Sequence, residues 1–381
     1  MEPFSPAGVP DTENRALYPN AIFQSKHSKM SNLPYIAAFT LRPKPGCRQC
    51  AAPILRCSPM PVPLIQEFIA ADMLAVDAVI RRRLASDVAL VREVAEYIVG
   101  SGGKRMRPAL VILAAGAFDY PGKHHHHLAA VVEFIHTATL LHDDVVDASE
   151  LRRGNPTANA LFGNAASVLV GDFVYSRAFQ MMVEVGSMRV MQVLSEATNV
   201  IAEGEVLQLM NCHNAGIDEH DYLQVIRYKT AKLFEAATRL GAILGGASAA
   251  REEAMANYGV HLGTAFQLID DVLDYSGDNK ATGKNVGDDL AEGKATLPLI
   301  HAIKHGSAAE ANLIRKAIEE GGLGELQHVI AAIQRSGALD YTRRQAEAEA
   351  RTASDALRDL PNSKYRDCLL QLADFAVTRD Y

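Results

Sequence analysis

Apolar residues recur at three- and four-residue spacing along almost the whole chain after residue 63, and this periodicity constrains the fold more than any other feature. The period matches α-helices with one apolar stripe, whereas the alternation typical of half-buried strands is nearly absent. Several segments are apolar on most sides, as in the central members of a helical bundle. The sequence therefore predicts an all-α fold. The predicted helices are 64–86, 87–101, 108–118, 127–147, 160–185, 189–212, 218–246, 249–275 and 297–305, followed by three or four more up to Tyr381.

The first sixty residues differ from the rest of the chain. Residues 1–62 are rich in Pro, Ser and Asn and show no helical periodicity, which predicts a disordered N-terminal extension before a helical domain of residues 63–381. The acidic residues Glu2, Asp11 and Glu13 fit a transit peptide poorly, and a continuous apolar segment typical of a secretory signal is missing. A shorter protein that starts at Met30 or Met60 stays open.

Charge and cysteine content exclude several classes of function. The formal net charge of −7 gives no electrostatic footprint for nucleic acid, and the longest apolar runs are too short to cross a bilayer. An odd count of five cysteines favours a reducing compartment, and we expect a cytoplasmic location.

The Cys47-x-x-Cys50 pair has no partner pair at zinc-site spacing. The four histidines 124–127 are interpreted as a solvated loop before an apolar helix, where adventitious metal binding stays open.

Two short aspartate clusters, Asp143–Asp147 and Asp270–Asp274, lie on predicted apolar helices. In each cluster the first and last aspartates are four residues apart, so they share one helix face. Such carboxylates must be hydrated, paired or bound to metal, because burying an isolated charge is very costly. Two such faces turned toward each other form an oxygen-rich cage, for which Mg²⁺ is the expected occupant. The clusters therefore predict diphosphate chemistry.

Two arginines follow the first cluster directly. Arg152 and Arg153 place adjacent guanidiniums beside the predicted carboxylate cage, and this arrangement suits diphosphate oxygens that the metal ions also contact. A solvated loop is the alternative interpretation. Because the two arginines stand beside the aspartates, diphosphate binding is the favoured interpretation.

A compact basic loop, 102–108, separates two predicted helices. Its two glycines allow the backbone to approach an anion, and Pro108 suits the first turn of the following helix. Lys104, Arg105 and Arg107 are then placed to hold a second phosphate group. The signal is weak on its own, because basic loops are common.

Other polar residues align with the two clusters. His136 precedes Asp143 by two helical turns, roughly 10 Å, on about the same face. A lone histidine on an apolar helix is most often a core residue, and the alignment makes a ligand contact about equally plausible. Five further polar residues stand near the clusters or after them: Lys229, Thr230, Gln267, Lys284 and Lys294.

Together these residues resemble the trans-type isoprenyl diphosphate synthases, the polyprenyl synthetase family. The motifs stand in the family's order: Gly-Gly-Lys-Arg-x-Arg-Pro, Leu-x-His-Asp-Asp-x-x-Asp with Arg-Arg-Gly, Lys-Thr, and Gln-x-x-Asp-Asp-x-x-Asp. The resemblance runs from about residue 63 to the end, and the stretch 136–147 looks most like long-chain bacterial members that make the octaprenyl tail of quinones. It implies a helical bundle of the isoprenoid synthase type with a central apolar cavity, and a homodimer.

The resemblance also implies roles for individual residues. Three aspartates would bind a trinuclear Mg²⁺ cluster on the allylic diphosphate: Asp143, Asp147 and Asp270. Three others would complete the acidic rim: Asp144, Asp271 and Asp274. Four cations would contact the allylic diphosphate: Arg152, Lys229, Lys284 and Lys294. Four residues would hold isopentenyl diphosphate: Lys104, Arg107, His136 and Arg153. Two would steady the reacting centre: Thr230 and Gln267. No position departs from the family's pattern.

Product length is expected to depend on an apolar tunnel below the first cluster. In the family, bulky aromatics four and five residues before the first aspartate stop growth early, whereas small residues let the chain pass. Here these positions are Thr139 and Ala138, which favours a long product from a primer such as farnesyl diphosphate. Four residues are candidates for a deeper floor, although core packing is the commoner role of such residues: Val132, Phe173, Met181 and Met182.

Other functions stay open at this point. A synthase of shorter or longer product, from geranylgeranyl to decaprenyl diphosphate, has the same motifs. A regulatory subunit usually lacks one aspartate cluster, and a terpene cyclase does not need the basic loop. A purely structural bundle with cation sites is a remote alternative. A peripheral membrane contact during product release also stays open.

Overall fold

The computed structural model describes residues 62–276 and 286–379, and these residues form an almost entirely helical protein. The predicted N-terminal extension therefore lies outside the described residues, apart from Val62, and so does Lys284. Eleven helices precede the break: α1 Pro63–Phe68, α2 Ala70–Arg83, α3 Ala89–Gly100, α4 Met106–Ala117, α5 His124–Val146, α6 Ala158–Phe162, α7 Asn164–Glu184, α8 Met188–Asn211, α9 Glu219–Ile226, α10 Lys232–Leu244 and α11 Ala249–Ser276. Six follow it: α12 Asp288–Ala291, α13 Leu297–His305, α14 Ala308–Glu320, α15 Leu326–Arg335, α16 Ala338–Ala356 and α17 Lys364–Thr378.

The predicted all-α class is confirmed for the described residues. Their only strands are β1, Leu151–Arg152, and β2, Asn155–Pro156, which form a two-residue antiparallel ladder with Leu151 opposite Pro156. The ladder is a tight turn after α5 rather than a sheet. Among the described helices, none is long and apolar enough to cross a membrane.

The central helix of the bundle is α4, in which ten of twelve residues are buried. Such a helix can pack closely only where its neighbours are small. Gly241 of α10 provides this contact, since a Cβ there would lie 2.4 Å from the Cβ of Ala114 and 2.6 Å from the amide nitrogen of Ala115. Helices α10, α5 and α17 pack against α4, while α7 packs along α5 and α11 packs along α10 and α16.

Several predicted helix bounds were wrong, each for a local reason. The segment 64–86 is two helices that meet at Ile69, and 160–185 is interrupted by Gly163, whose positive φ of 86° ends α6. The histidines 124–127 are not a solvated loop: they form the first turn of α5, and all but His124 are partly buried.

The predicted helix 218–246 contains a π-helical turn, Arg227–Ala231, between α9 and α10. One extra residue in such a turn redirects the side chains that follow it, and π-turns often occur at functional sites. This turn carries Lys229 and Thr230. The irregularity therefore falls at the two residues for which the sequence predicts a role.

Candidate active site

The first aspartate cluster ends α5, and two of its carboxylates face lysines. An Oδ2 of Asp143 lies 3.3 Å from Nζ of Lys229, and an Oδ2 of Asp147 lies 3.1 Å from Nζ of Lys294. Both aspartates keep part of their side chains accessible to solvent. The i, i+4 spacing thus places both carboxylates on one side of α5, and the space beside them and the two lysines is called the cleft below.

The middle aspartate of this cluster points into the protein. Asp144 is fully buried and accepts hydrogen bonds from Arg152, with the Nη2 to Oδ1 distance at 2.5 Å and the Nε to Oδ1 distance at 2.9 Å. The β1–β2 ladder positions Arg152 for this bidentate pair. Its expected contact with the allylic diphosphate stays a prediction, and in this structure the guanidinium secures the end of α5.

The second cluster on α11 shows the same division. Asp270 is partly exposed and forms an ion pair of 2.6 Å with Arg379. Asp271 is buried, accepts a hydrogen bond from the Tyr222 hydroxyl, and accepts another from Gln267 Nε2 at 2.9 Å. Burial, together with the nearby Asp289, raises the pKa of Asp271. In both clusters the first aspartate keeps part of its side chain accessible to solvent, and the second one is buried and anchors its helix.

The π-turn connects the surroundings of both clusters. Lys229 pairs with Asp143, and the hydroxyl of the next residue, Thr230, donates to Oε1 of Gln267 at 3.2 Å. Gly204 of α8 allows the turn to pack closely, because a Cβ there would lie 2.7 Å from the amide nitrogen of Lys229. The turn therefore positions one residue toward each aspartate helix.

Two glutamates add negative charge that the sequence interpretation missed. Lys229 also binds Glu205, and Lys294 also binds Glu292. Burial raises the pKa of Glu205 to about 7 and raises the pKa of Glu292, although the lysines oppose both shifts. No motif marks either glutamate, and only a helix contact brings Glu205 of α8 to Lys229.

The crowded carboxylates fit a divalent cation. Lys229 contacts Asp143 and Glu205, and Lys294 contacts Asp147 and Glu292, so four carboxyl groups surround two lysines. These carboxyl groups offer oxygen donors, which suit hard cations such as Mg²⁺ or Ca²⁺. Asp143, Asp147 and Asp270 are the residues that would hold such ions.

The basic loop and the Arg-Arg pair meet on another side of the site. Arg153 donates a hydrogen bond to the carbonyl of Gly102, and a Cβ on Gly103 would lie 2.6 Å from its guanidinium. Arg107 donates to Nε2 of His136 at 3.2 Å, because arginine offers no acceptor. Burial and then Arg107 lower the pKa of His136, so this imidazole is neutral. The structure therefore brings Arg107, His136 and Arg153 together, and their contact with a second diphosphate stays a prediction.

Lys104 and Arg105 of the same loop differ in environment. Burial, followed by the charge of Arg379, lowers the pKa of Lys104 to about 8. Arg105 is buried, forms a 2.6 Å ion pair with Glu133 and donates to the carbonyl of Val99. The prediction that Arg105 is placed to hold a phosphate group was wrong, because its guanidinium is turned into the core.

The predicted chain-length residues lie inside α5. Ala138 is fully buried in the main core, and the hydroxyl of Thr139 donates to the carbonyl of His136 at 2.9 Å. Of the deeper candidates, three are fully buried and Phe173 is partly buried. Their effect on product length stays a prediction.

Two further residues were missed because they come from distant parts of the chain. Arg379 follows α17 and reaches Asp270, while Tyr222 of α9 reaches Asp271. Neither stands in a motif. Only the packed structure shows that each of these two residues is buried beside an aspartate of the second cluster.

Comparison with known proteins is consistent with this site. The sequence profile of the family described as Polyprenyl synthetase matches residues 88–333. The chain is 56% identical to the octaprenyl diphosphate synthase of Escherichia coli (strain K12) over 317 aligned residues. This alignment covers 83% of this chain and 98% of that protein.

Two solved structures are also similar. A polyprenyl synthase from Caulobacter crescentus CB15, complexed with calcium and isoprenyl diphosphate, shares 47% identity at a TM-score of 0.81, over 83% of this chain and 97% of that one. A decaprenyl diphosphate synthase from Rhodobacter capsulatus shares 48% identity at a TM-score of 0.79, over 84% and 99% of the two chains.

Proposed function

The chain belongs to the polyprenyl synthetase family and is a long-chain trans-polyprenyl diphosphate synthase, and from this premise we propose that it makes a product of about eight isoprene units. The allylic primer in this proposal is farnesyl diphosphate, and isopentenyl diphosphate is the unit added. The product would supply quinone side chains. Prenyl transfer in this family depends on divalent metal, and we propose Mg²⁺ for this chain.

One observation carries the proposal: an acidic group and a basic group meet around α11. The acidic group contains Asp143, Asp147 and Asp270, which all keep part of their side chains accessible to solvent. The basic group adjoins it, because Nζ of Lys104 lies 5.5 Å from the centroid of the Phe266 ring, and Arg379, the partner of Asp270, covers the same ring at 3.8 Å. A reaction between two diphosphates needs this pair of neighbouring sites.

The side chains can stabilise the leaving diphosphate. Bound Mg²⁺ would supply Lewis-acid stabilisation of the negative charge that develops as the allylic carbon–oxygen bond breaks. Lys229 and Lys294 remain protonated because the surrounding carboxylates outweigh the effect of burial and raise the pKa of each lysine. Each ammonium therefore adds a fixed positive charge at the cleft.

The second substrate would be held by the basic group. Arg107 and Arg153 offer guanidiniums for bidentate contact with a diphosphate, and neutral His136 can donate only through Nδ1, since its Nε2 accepts from Arg107. Holding the double bond beside the allylic carbon replaces a bimolecular encounter. Proton loss then leaves an allylic diphosphate one unit longer, with the departing diphosphate as the base.

The size of the product follows from the residues below the first cluster. Ala138 adds little bulk at the position where an aromatic residue would end growth. Each methylene that enters an apolar tunnel gains about 0.8 kcal/mol, so the depth of the tunnel selects length strongly. The relatives named above differ in product at similar identity, and identity alone therefore does not set the number of units.

A second copy of the chain is the proposed partner. The outer faces of α7 and α8 expose large apolar side chains near the start of α7 and the end of α8: Val168, Leu169, Val206, Leu209 and Met210. Exposed apolar groups of this kind mark interfaces. We further propose a cytoplasmic enzyme with a peripheral membrane contact during product release.

Product analysis tests the proposal. The protein is incubated with Mg²⁺, farnesyl diphosphate and labelled isopentenyl diphosphate, and we expect a ladder that ends near eight units. Asp143→Asn should abolish elongation, whereas Asp355→Asn, which changes an exposed aspartate of α16, should preserve it. A protein that folds but never extends the primer contradicts the enzyme function, and a ladder that ends elsewhere contradicts only the length.

A further inference from the structure

Three side chains converge at the end of α5 that lies farthest from the aspartates. His125 and His126 belong to the first turn of α5, and Asp72 belongs to the first turn of α2. Oδ1 of Asp72 lies 2.8 Å from Nε2 of His126 and 3.5 Å from Nε2 of His125. The ligand atoms of all three residues lie within 4.8 Å of one another. Two separate helices thus bring two imidazoles and one carboxylate together.

The distances suit a tetrahedral metal site. With bonds of about 2.0–2.1 Å, as for zinc, two ligand atoms at a tetrahedral angle lie about 3.3 Å apart. The two distances from Asp72 lie on either side of this value. Three protein ligands leave a fourth position for water. The two imidazole rings are tilted by 44° with centroids 3.9 Å apart, so both lie close enough to contact one ion.

The location favours the neutral imidazoles that a metal requires. Protonated histidine is disfavoured in the first turn of a helix, where the backbone dipole is positive.

The four histidines of the run are not equivalent. His124 is exposed and lies outside the convergent group, and His127 is directed to Glu184, with its Nε2 at 3.2 Å from Oε2. Arg83 donates to the same Glu184, so this second contact is already a paired network. Only the middle two histidines share the carboxylate of Asp72. The structure therefore separates two ligands from two neighbours of the same type.

We propose that Asp72, His125 and His126 form a binding site for a zinc-like transition-metal dication, distinct from the catalytic metal ions. Along α5, His126 lies about 26 Å from Asp143. The donors also differ, because imidazole nitrogen selects zinc, cobalt or nickel, whereas the catalytic aspartates offer oxygens that suit magnesium. A bound ion would join the first turn of α2 to the first turn of α5 and so stabilise the contact between these two helices.

Metal titration of the full chain tests the site. Zn²⁺ is added in the presence of saturating Mg²⁺, which fills the carboxylate cleft, and bound zinc is counted by equilibrium dialysis. We expect the wild type to bind one more equivalent than Asp72→Ala and one more than the double variant His125→Ala/His126→Ala. The matched control His124→Ala should bind as many equivalents as the wild type. Binding that saturates the site should raise the melting temperature of the wild type by about 5 °C and leave Asp72→Ala unchanged.

Three outcomes overturn the proposal. Equal stoichiometry in the wild type and the double variant means that zinc binds elsewhere, for example at thiols, and a Co²⁺ spectrum distinguishes thiolate from imidazole ligands. Loss of the equivalent in His124→Ala means that the histidine run chelates adventitiously. If the alanine variants fold poorly by circular dichroism, Asp72→Asn is used instead, because it preserves the hydrogen bond to His126 while removing the anionic ligand. Undiminished zinc binding in that folded variant also overturns the site.

Discussion

Arg379, the last described residue, lies with its Nη1 atom 2.6 Å from Oδ1 of Asp270, the first aspartate of the second cluster. The guanidinium covers the Phe266 ring at 3.8 Å and donates to the Phe266 carbonyl. It also lowers the pKa of Lys104, after the larger effect of burial. The C-terminal end of the chain thus contributes a buried cation that contacts the acidic group and influences the basic one.

Replacing this cation should impair catalysis. Arg379→Ala removes a charged hydrogen-bonding group worth about 1.5–3 kcal/mol, so kcat/KM for isopentenyl diphosphate should fall about tenfold to a hundredfold. Arg358→Ala, which removes an exposed arginine between α16 and α17, is the matched control and should have little effect. Steady-state kinetics with the two variants make the comparison. Unchanged kcat/KM in Arg379→Ala would show that Asp270 does not need its partner.

Binding of isopentenyl diphosphate should weaken in alkaline solution. The pKa of Lys104 is lowered to about 8, so its positive charge is present below this pH and is lost as the pH rises through it. We expect the apparent KM for isopentenyl diphosphate to rise above about pH 8, with kcat measured separately at saturation. Lys104→Arg should remove this rise, because a guanidinium stays charged.

The Arg379→Ala variant gives this assignment a second check. Removing the neighbouring cation raises the pKa of Lys104, so the increase in KM should begin at a higher pH than in the wild type. If the pH profile of KM is identical in Arg379→Ala and in the wild type, the titrating group is not Lys104.

Packing beneath the π-turn should affect turnover. In Gly204→Ala the new Cβ would lie 2.7 Å from the amide nitrogen of Lys229 and 2.8 Å from Cβ of Tyr228, so the turn must move. Overpacking of this kind costs about 1–3 kcal/mol. We expect a lower melting temperature and a lower kcat at saturating substrate. Gly324→Ala is the matched control, because no atom lies within 4 Å of its added Cβ. Equal kcat in both variants would show that the position of Lys229 is not critical.

The sequence predicted the architecture and the ligand types because both are encoded locally. Helical periodicity marked α4 and α5, and i, i+4 spacing placed Asp143 and Asp147 on one face. The pattern could not show which way a middle aspartate turns. Asp144 became an anchor because the β1–β2 ladder, two residues long, holds Arg152 beside it.

The residues that were missed depend on contacts between distant segments. Glu205 and Arg379 look like ordinary helix or terminal charges, and only the packing of α8 and α17 brings them to the site. Likewise, the π-turn at Lys229 packs closely against Gly204 of α8, and this contact between distant segments has no local sequence signal.

Removing divalent metal should expose the cost of the crowded carboxylates. The pKa of Glu205 is raised to about 7 in the folded protein, so folding takes up protons and stability falls as the pH rises from about 4.5 to about 7. In metal-free protein, Glu205→Gln should therefore raise the melting temperature relative to the wild type at pH 8 more than at pH 5. Glu203→Gln, at an exposed position of the same helix, is the control.

Mg²⁺ should reduce the advantage of Glu205→Gln, because the ions neutralise the nearby aspartates. Its kcat should nevertheless fall, since Lys229 loses one of its two carboxylate partners. A melting-temperature difference that does not change with pH would contradict the shifted pKa. Thermal melts at the two pH values, with EDTA and with Mg²⁺, measure the effect.

A bulkier side chain below the first cluster should shorten the product. Ala138 is fully buried on α5, five residues before Asp143, so a tyrosine there would extend into the space proposed for the growing chain. We expect Ala138→Tyr to give a ladder that ends at fewer units by mass spectrometry. Thr139→Val, which keeps the volume and removes a hydroxyl, should leave the length unchanged. Because overpacking costs about 1–3 kcal/mol, the rate of the first condensation serves as the check on folding. A variant that completes the first condensation and still makes the full-length product would refute the assignment of Ala138 to the tunnel wall.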